Sequence, residues 1–192
     1  YLVGDLYSGL EILERALAAA VTLDDRKEEG TTLSRLGAVL GHAGRHDDAR
    51  EVLQRAVAML SAHSDADSEA YAGALSNLGH NRLLAGDYAK ALELFREERE
   101  LHDVQDARLR VANCNTNLAF ALAGVGGIEE ARATLEDTRA LLDPARDGNQ
   151  WVDFLLTTGR VALLGGAPRE AVDVLQEGLV AARSLGLPRI EI

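Results

Sequence analysis

Along the whole chain apolar residues return at intervals of three and four, the spacing that gathers them on one stripe of an α-helix. Between Leu6 and Leu23 the stripe is Leu6, Leu10, Leu13, Ala16 and Leu17. From Arg26 to Ala43 it is Leu33, Leu36, Gly37 and Leu40. Almost no segment alternates strictly between apolar and polar residues, so strands are not expected. The helical pattern then recurs in register. Ala49, Ala91, Ala131 and Ala171 are separated by 42, 40 and 40 residues, and each is followed four positions later by a bulky residue: Leu53, Phe95, Leu135 and Leu175. Gly44, Gly86, Gly126 and Gly166 stand seven residues after Gly37, Gly79, Ala119 and Gly159.

A period near 40 is that of stacked helical hairpins. Each unit reads as a first helix with a small residue on its core stripe, a glycine-centred turn, and a second helix. Glycine suits the turn because helices commonly end on a left-handed residue that only glycine adopts without strain. Second helices are predicted over His46–Ala62, Tyr88–His102, Glu129–Leu142 and Pro168–Ser184. Pro168 fits a first helical turn, while Pro144 and Pro188 fall between units as helix stops. The chain is therefore expected to be one all-α solenoid. Residues 1–29 read as the second helix of a truncated unit plus a linker, with Gly4 and Asp5 as its turn. Units follow at 30–71, 72–111, 112–151 and 152–192, and Ile190 to Ile192 open another first helix. Both ends read as cut faces of a longer array whose end repeats could self-associate.

Composition narrows the function. Hydrophobic residues make up 47% of the chain and aromatics only 4%, which suits close-packed helices with small residues at their contacts. The formal charge of −11, from 31 acidic and 20 basic residues, argues against the basic footprint that nucleic acid requires. Charge runs at Asp24 to Glu29 and Arg96 to Glu100 are expected on helix exteriors or junctions. The one cysteine, Cys114, excludes an internal disulfide framework and fits a buried residue in a reducing, cytoplasmic setting. No apolar run is long enough to span a membrane.

Chemistry-bearing arrangements are few. His42 and His46 have helical-ladder spacing, but Gly44 between them should break the helix. His63, His80 and His102 have no acidic or sulfur partner nearby in sequence. Asp65 and Asp67 resemble the start of a calcium loop without its glycine or distal glutamate, so Asp67 or Ser68 is read as a helix cap. The run Gly124-Val125-Gly126-Gly127 falls at a turn and needs no phosphate to explain it. No nucleophile elbow occurs. The expectation is a non-enzymatic chain without metal or cofactor.

The paired signatures Leu36-Gly37, Leu78-Gly79, Leu118-Ala119 and Thr158-Gly159, with Gly86-Asp87-Tyr88, Ala91 and Phe95, resemble the tetratricopeptide repeat family. The resemblance covers about residues 30 to 192 and the half unit before them. Its 40-residue period is similar to the longer-repeat branch of kinesin light chains, polarity scaffolds and bacterial regulators. Glu98 stands where that pattern has a small residue and Thr158 where it has leucine, so looser contacts are expected there. The resemblance implies a right-handed superhelix of antiparallel pairs whose first helices line a concave groove for peptide or protein. It implies no cofactor and no reaction.

Helix geometry divides the first helices into two faces. Leu75, Leu78, Gly79 and Arg82 share one stripe, and Gly73, Asn77, His80 and Leu84 lie roughly opposite. Equivalent positions are Thr31, Arg35, Ala38 and His42; Asn113, Asn117, Phe120 and Gly124; and Asp153, Thr157, Arg160 and Leu164. The candidate peptide-binding residues are Arg35, His42, Asn77, His80, Asn113, Asn117, Phe120 and Arg160. An asparagine amide donates and accepts, so Asn77 and Asn117 can pair with an extended backbone, as the resemblance implies, or with a neighbouring helix or water. Arg35 and Arg160 suit a carboxylate or solvent. Phe120 marks a contact site or packs against the next unit.

The leading expectation is a module that binds a protein or peptide segment, a regulatory or scaffolding arm of a larger cytoplasmic protein. Ala-, Arg- and Asp-rich usage points to a bacterial source. Alternatives are an oligomerisation or spacer element with an empty groove, and an effector-sensing arm of a transcription or signalling regulator.

Overall fold

The computed structural model describes the backbone of residues 2–62, 68–102 and 107–186. The described residues form helices without strands: α1 (Leu2–Thr22), α2 (Arg26–His42), α3 (His46–Ser61), α4 (Ser68–Leu84), α5 (Tyr88–Glu100), α6 (Arg108–Gly124), α7 (Ile128–Arg139), α8 (Gly148–Leu164) and α9 (Pro168–Ser184). The architecture is the expected all-α solenoid of helix pairs. Within pairs α2 packs on α3, α4 on α5, α6 on α7 and α8 on α9. First helices also meet, α2 with α4 and α6 with α8.

Three-residue turns join the helices of each pair, and all four are built alike. Gly44, Gly86, Gly126 and Gly166 take φ values of 77°, 75°, 88° and 74°. The next residue's N–H reaches back five positions, as in Arg45 to the Leu40 carbonyl at 2.9 Å and Ala167 to that of Ala162 at 2.8 Å. Such a bond satisfies a carbonyl that the helix end leaves open. A fifth copy of this turn follows α1 without glycine: Asp24 takes φ 53° and the Asp25 N–H reaches the Ala20 carbonyl at 3.0 Å.

Close packing of each pair depends on the small residue the repeat places in its first helix. A Cβ on Gly37 would lie 2.4 Å from Leu53 Cγ, one on Gly79 2.6 Å from Phe95 Cε1, and one on Gly159 2.6 Å from Leu175 Cγ. The register alanines Ala49, Ala91, Ala131 and Ala171 are all fully buried. Glycine or alanine on one helix thus receives the bulky residue four positions after each register alanine on the other.

Two compact units are formed, Tyr1–Leu101 and His102–Ile192. The core of the first runs through Leu33, Leu40, Leu53, Leu60, Leu75 and Leu78. In the second, Val111, Cys114, Leu122, Leu135, Phe154, Leu155 and Val161 are buried.

Several expectations require correction. Gly4 and Asp5 lie inside α1, which starts at Leu2, so they form no turn. Helix α7 ends at Arg139, short of Leu142: the Leu141 N–H turns back to the Thr138 carbonyl, and the residue before Pro144 disfavours helix. Within the charge runs Glu29 and Glu98 are buried, not exterior; Glu29 receives Arg26 at 3.4 Å. His63, Asp65, Asp67, Pro188 and Ile190 to Ile192 lie outside the described residues.

Candidate functional site

In the first unit the stripe opposite the packed face of α2 and α4 carries exposed Arg35, His42 and His80 with half-buried Asn77. Three of these come together. His42, Asn77 and His80 line a pocket of about 40 Å3 with Gly41, Asn81 and Leu84. Asn77 Nδ2 donates to Ser34 Oγ at 3.0 Å and to the Ser34 carbonyl at 3.4 Å. Because that carbonyl can only accept, the amide's nitrogen faces α2 and its oxygen is left without a hydrogen bond among the described residues. Beside it Asn81 Nδ2 donates to the His46 carbonyl at 3.2 Å, fastening α4 to the start of α3. Nothing in the repeat pattern marks Asn81 for this role.

The second unit arranges its stripe differently. Asn113 is exposed on α6, Asn117 half-buried one turn on, and Phe120 half-buried after that. From α8 the exposed Arg160 guanidinium lies over the Phe120 ring, 5.4 Å from its centre. The contact is a cation–π pair across the seam of two first helices, and the same guanidinium acts on the carboxylate of Asp153 on its own helix. The Asn117 side chain makes no hydrogen bond among the described residues. Of the equivalent stripe positions Thr157 is buried, so it cannot serve a ligand.

A feature that sequence reasoning missed lies elsewhere in this unit. A pocket of about 280 Å3, far larger than the one beside Asn77, opens among α7, α8 and α9. Leu135, Phe154, Leu155 and Val161 line it, with Arg132, Arg139, Glu136, Glu170 and Glu177 among its charged neighbours. Thr158, which departs from the leucine of the repeat pattern, is among its lining residues and is the one mark of it in the sequence.

Fixed charges elsewhere serve the scaffold. Arg108 at the start of α6 grips buried Asp147 with two bonds, Nη1 to Oδ2 at 2.7 Å and Nη2 to Oδ1 at 3.0 Å, and also donates to the Leu141 carbonyl. The Asp147 carboxylate accepts the Asp143 N–H at 2.9 Å as well. The hydrogen bond from Arg108, and then that from the Asp143 backbone, hold its pKa down to about 2. In the first unit the Tyr71 hydroxyl donates to Glu97. Burial and then that carboxylate push the Tyr71 pKa up to about 12. Among the described residues no three His, Cys, Asp or Glu side chains gather as a metal site, and no helix is long and apolar enough to cross a membrane.

Comparison with known proteins supports the fold. Tetratricopeptide repeat profiles match residues 1–62, 72–97 and 116–137, together more than half the chain. No curated protein sequence matches. Among solved structures, a Podosopora anserina chain of nearly identical TPR-like repeats, assigned to kinesin light chain, is 18% identical with a TM-score of 0.72, covering 96% of this chain and 90% of that one. BtubC (BKLC) of P. vanneervenii is 20% identical with a TM-score of 0.72, covering 98% and 79%. MamA is 19% identical with a TM-score of 0.60, covering 96% and 93%.

Proposed function

Because the chain belongs to the tetratricopeptide repeat family, we propose that it is a protein-interaction module holding an extended partner segment on the stripe of α6 and α8. Asn117 carries the reading. A half-buried amide with no hydrogen bond among the described residues is poised to pair with a peptide N–H and C=O, and burial against a partner without such pairing would cost stability. Next to it, Phe120 offers an apolar face and Arg160 a fork for a carboxylate. The segment suited to this surface is extended, with an apolar residue near an acidic one. By itself, the first unit's stripe presents the Asn77 oxygen, His42 and His80 around one small pocket, and Arg35 as an exposed cation. One buried cysteine and no disulfide suit such a module to a reducing compartment.

The test is selection of random peptides on the full chain, followed by affinity measurement on variants. N117A is expected to weaken selected peptides roughly tenfold, the scale of one or two lost hydrogen bonds. R160A should weaken those that carry a carboxylate, and Q54A on the exposed face of α3 should change nothing. If N117A and R160A leave every selected peptide's affinity intact, the assignment of this stripe fails.

A further inference from the structure

The space among α7, α8 and α9 lies where the fourth repeat carries Thr158. In the first unit Leu36 and Leu78, 8% and 5% exposed, occupy the place that Thr158 takes in the fourth repeat. Thr158 Oγ1 donates to the Phe154 carbonyl at 2.8 Å, so its hydroxyl is satisfied by its own helix and asks nothing of the pocket. The apolar part of the lining is firmly held: Leu135, Phe154, Leu155 and Val161 are all less than 5% exposed. Thr158 and Arg160 are about 200° apart around α8, so this pocket lies on the face opposite the stripe assigned above.

Charge at its rim is unequal. Arg132 is neutralised by Glu170 through two bonds of 3.0 and 2.7 Å, and the Arg139 guanidinium lies over the Trp151 ring at 5.1 Å. Glu136 and Glu177 line the same opening and form no ion pair among the described residues. The local surplus is negative, as is the chain as a whole at −11.

We propose that this pocket is a second docking site, taking one bulky apolar side chain of a protein partner whose neighbouring lysine or arginine meets Glu136 and Glu177. Room is sufficient, since a dry apolar cavity of about 150 Å3 already accepts a benzene ring and this one measures about 280 Å3. The site requires a partner of opposite charge character from the acidic segment expected on α6 and α8, and it stands or falls independently of that segment.

Blocked short peptides Lys-Phe-Lys, Glu-Phe-Glu and Lys-Ala-Lys, titrated into the full chain and followed by NMR of the Leu135, Val161 and Val174 methyls, test it. Saturable shifts at these methyls are expected with Lys-Phe-Lys alone. T158L, which restores the repeat's leucine, should abolish them. T158V keeps the space without the hydroxyl and should retain them. E136Q/E177Q should weaken binding roughly fivefold, in keeping with partly exposed charges, and N117A should leave it unchanged. Equal or tighter binding of Glu-Phe-Glu, persistence of the shifts in T158L, or no shift with Lys-Phe-Lys would each overturn the proposal.

Discussion

Two asparagines at equivalent positions of the repeat have different fates. Asn77 spends its amide nitrogen on Ser34 of the neighbouring first helix, whereas Asn117 spends none of its amide on the described residues. Sequence spacing treats them as equals, and only the structure shows that Ser34 places a hydroxyl within 3.0 Å of Asn77. The distinction is measurable in urea. N77A should lose about 0.5–1.5 kcal/mol of stability, the net worth of a typical hydrogen bond, while N117A should unfold like the parent. Equal losses at both positions would contradict the assignment of Asn117 to ligand rather than scaffold. Phe120 and Arg160 show the same limit of sequence reading. Both were legible as stripe residues, but their stacking was not, since it needs the distance between α6 and α8.

At the scale of elements the helix ends were the most legible feature. A left-handed terminal residue is a local requirement, so the four turn glycines could be read from spacing, and α9 spans the residues expected of it. Asp24 shows that the turn tolerates a substitute where an aspartate can take positive φ, which gave no signal beside the glycines. In the sequence the connection from α7 to α8 shows only as a linker with a proline. It is instead clasped by Arg108, because Asp147 is brought against the first turn of α6 by tertiary packing. That clasp has a pH signature. An unperturbed aspartate titrates near about 3.9, and Asp147 in the folded chain is held down to about 2. Its contribution to stability is therefore fully present above the unfolded value and disappears as pH falls through the folded one. D147N should lower the melting temperature at neutral pH, and the gap from the parent should narrow between about pH 4 and pH 2. A gap that stays constant over that window would remove Asp147 from the account.

For the whole molecule, repeat architecture means that stability is a sum of unit and neighbour terms rather than the property of one core. G79A tests this. The added methyl group would meet Phe95 Cε1 at 2.6 Å, a steric conflict inside the first unit that should cost about 1–3 kcal/mol. Trp151, the chain's one tryptophan, is buried in the second unit and reports on that unit's packing. In G79A, helical circular dichroism should begin to fall at lower denaturant than tryptophan fluorescence changes. Coincident transitions would instead show both units unfolding together. The helices, the glycine turns, the small residues between paired helices and the family are legible from residue order alone, because each rests on short-range sterics or on a stripe repeated in register. The pocket beside Thr158, the engagement of Asn77, the stacking of Arg160 on Phe120 and the clasp on Asp147 emerge only when the helices pack. All four depend on side chains about 35 to 45 positions apart in the chain meeting across helices, or on the space left between helices, and no local spacing rule encodes those distances.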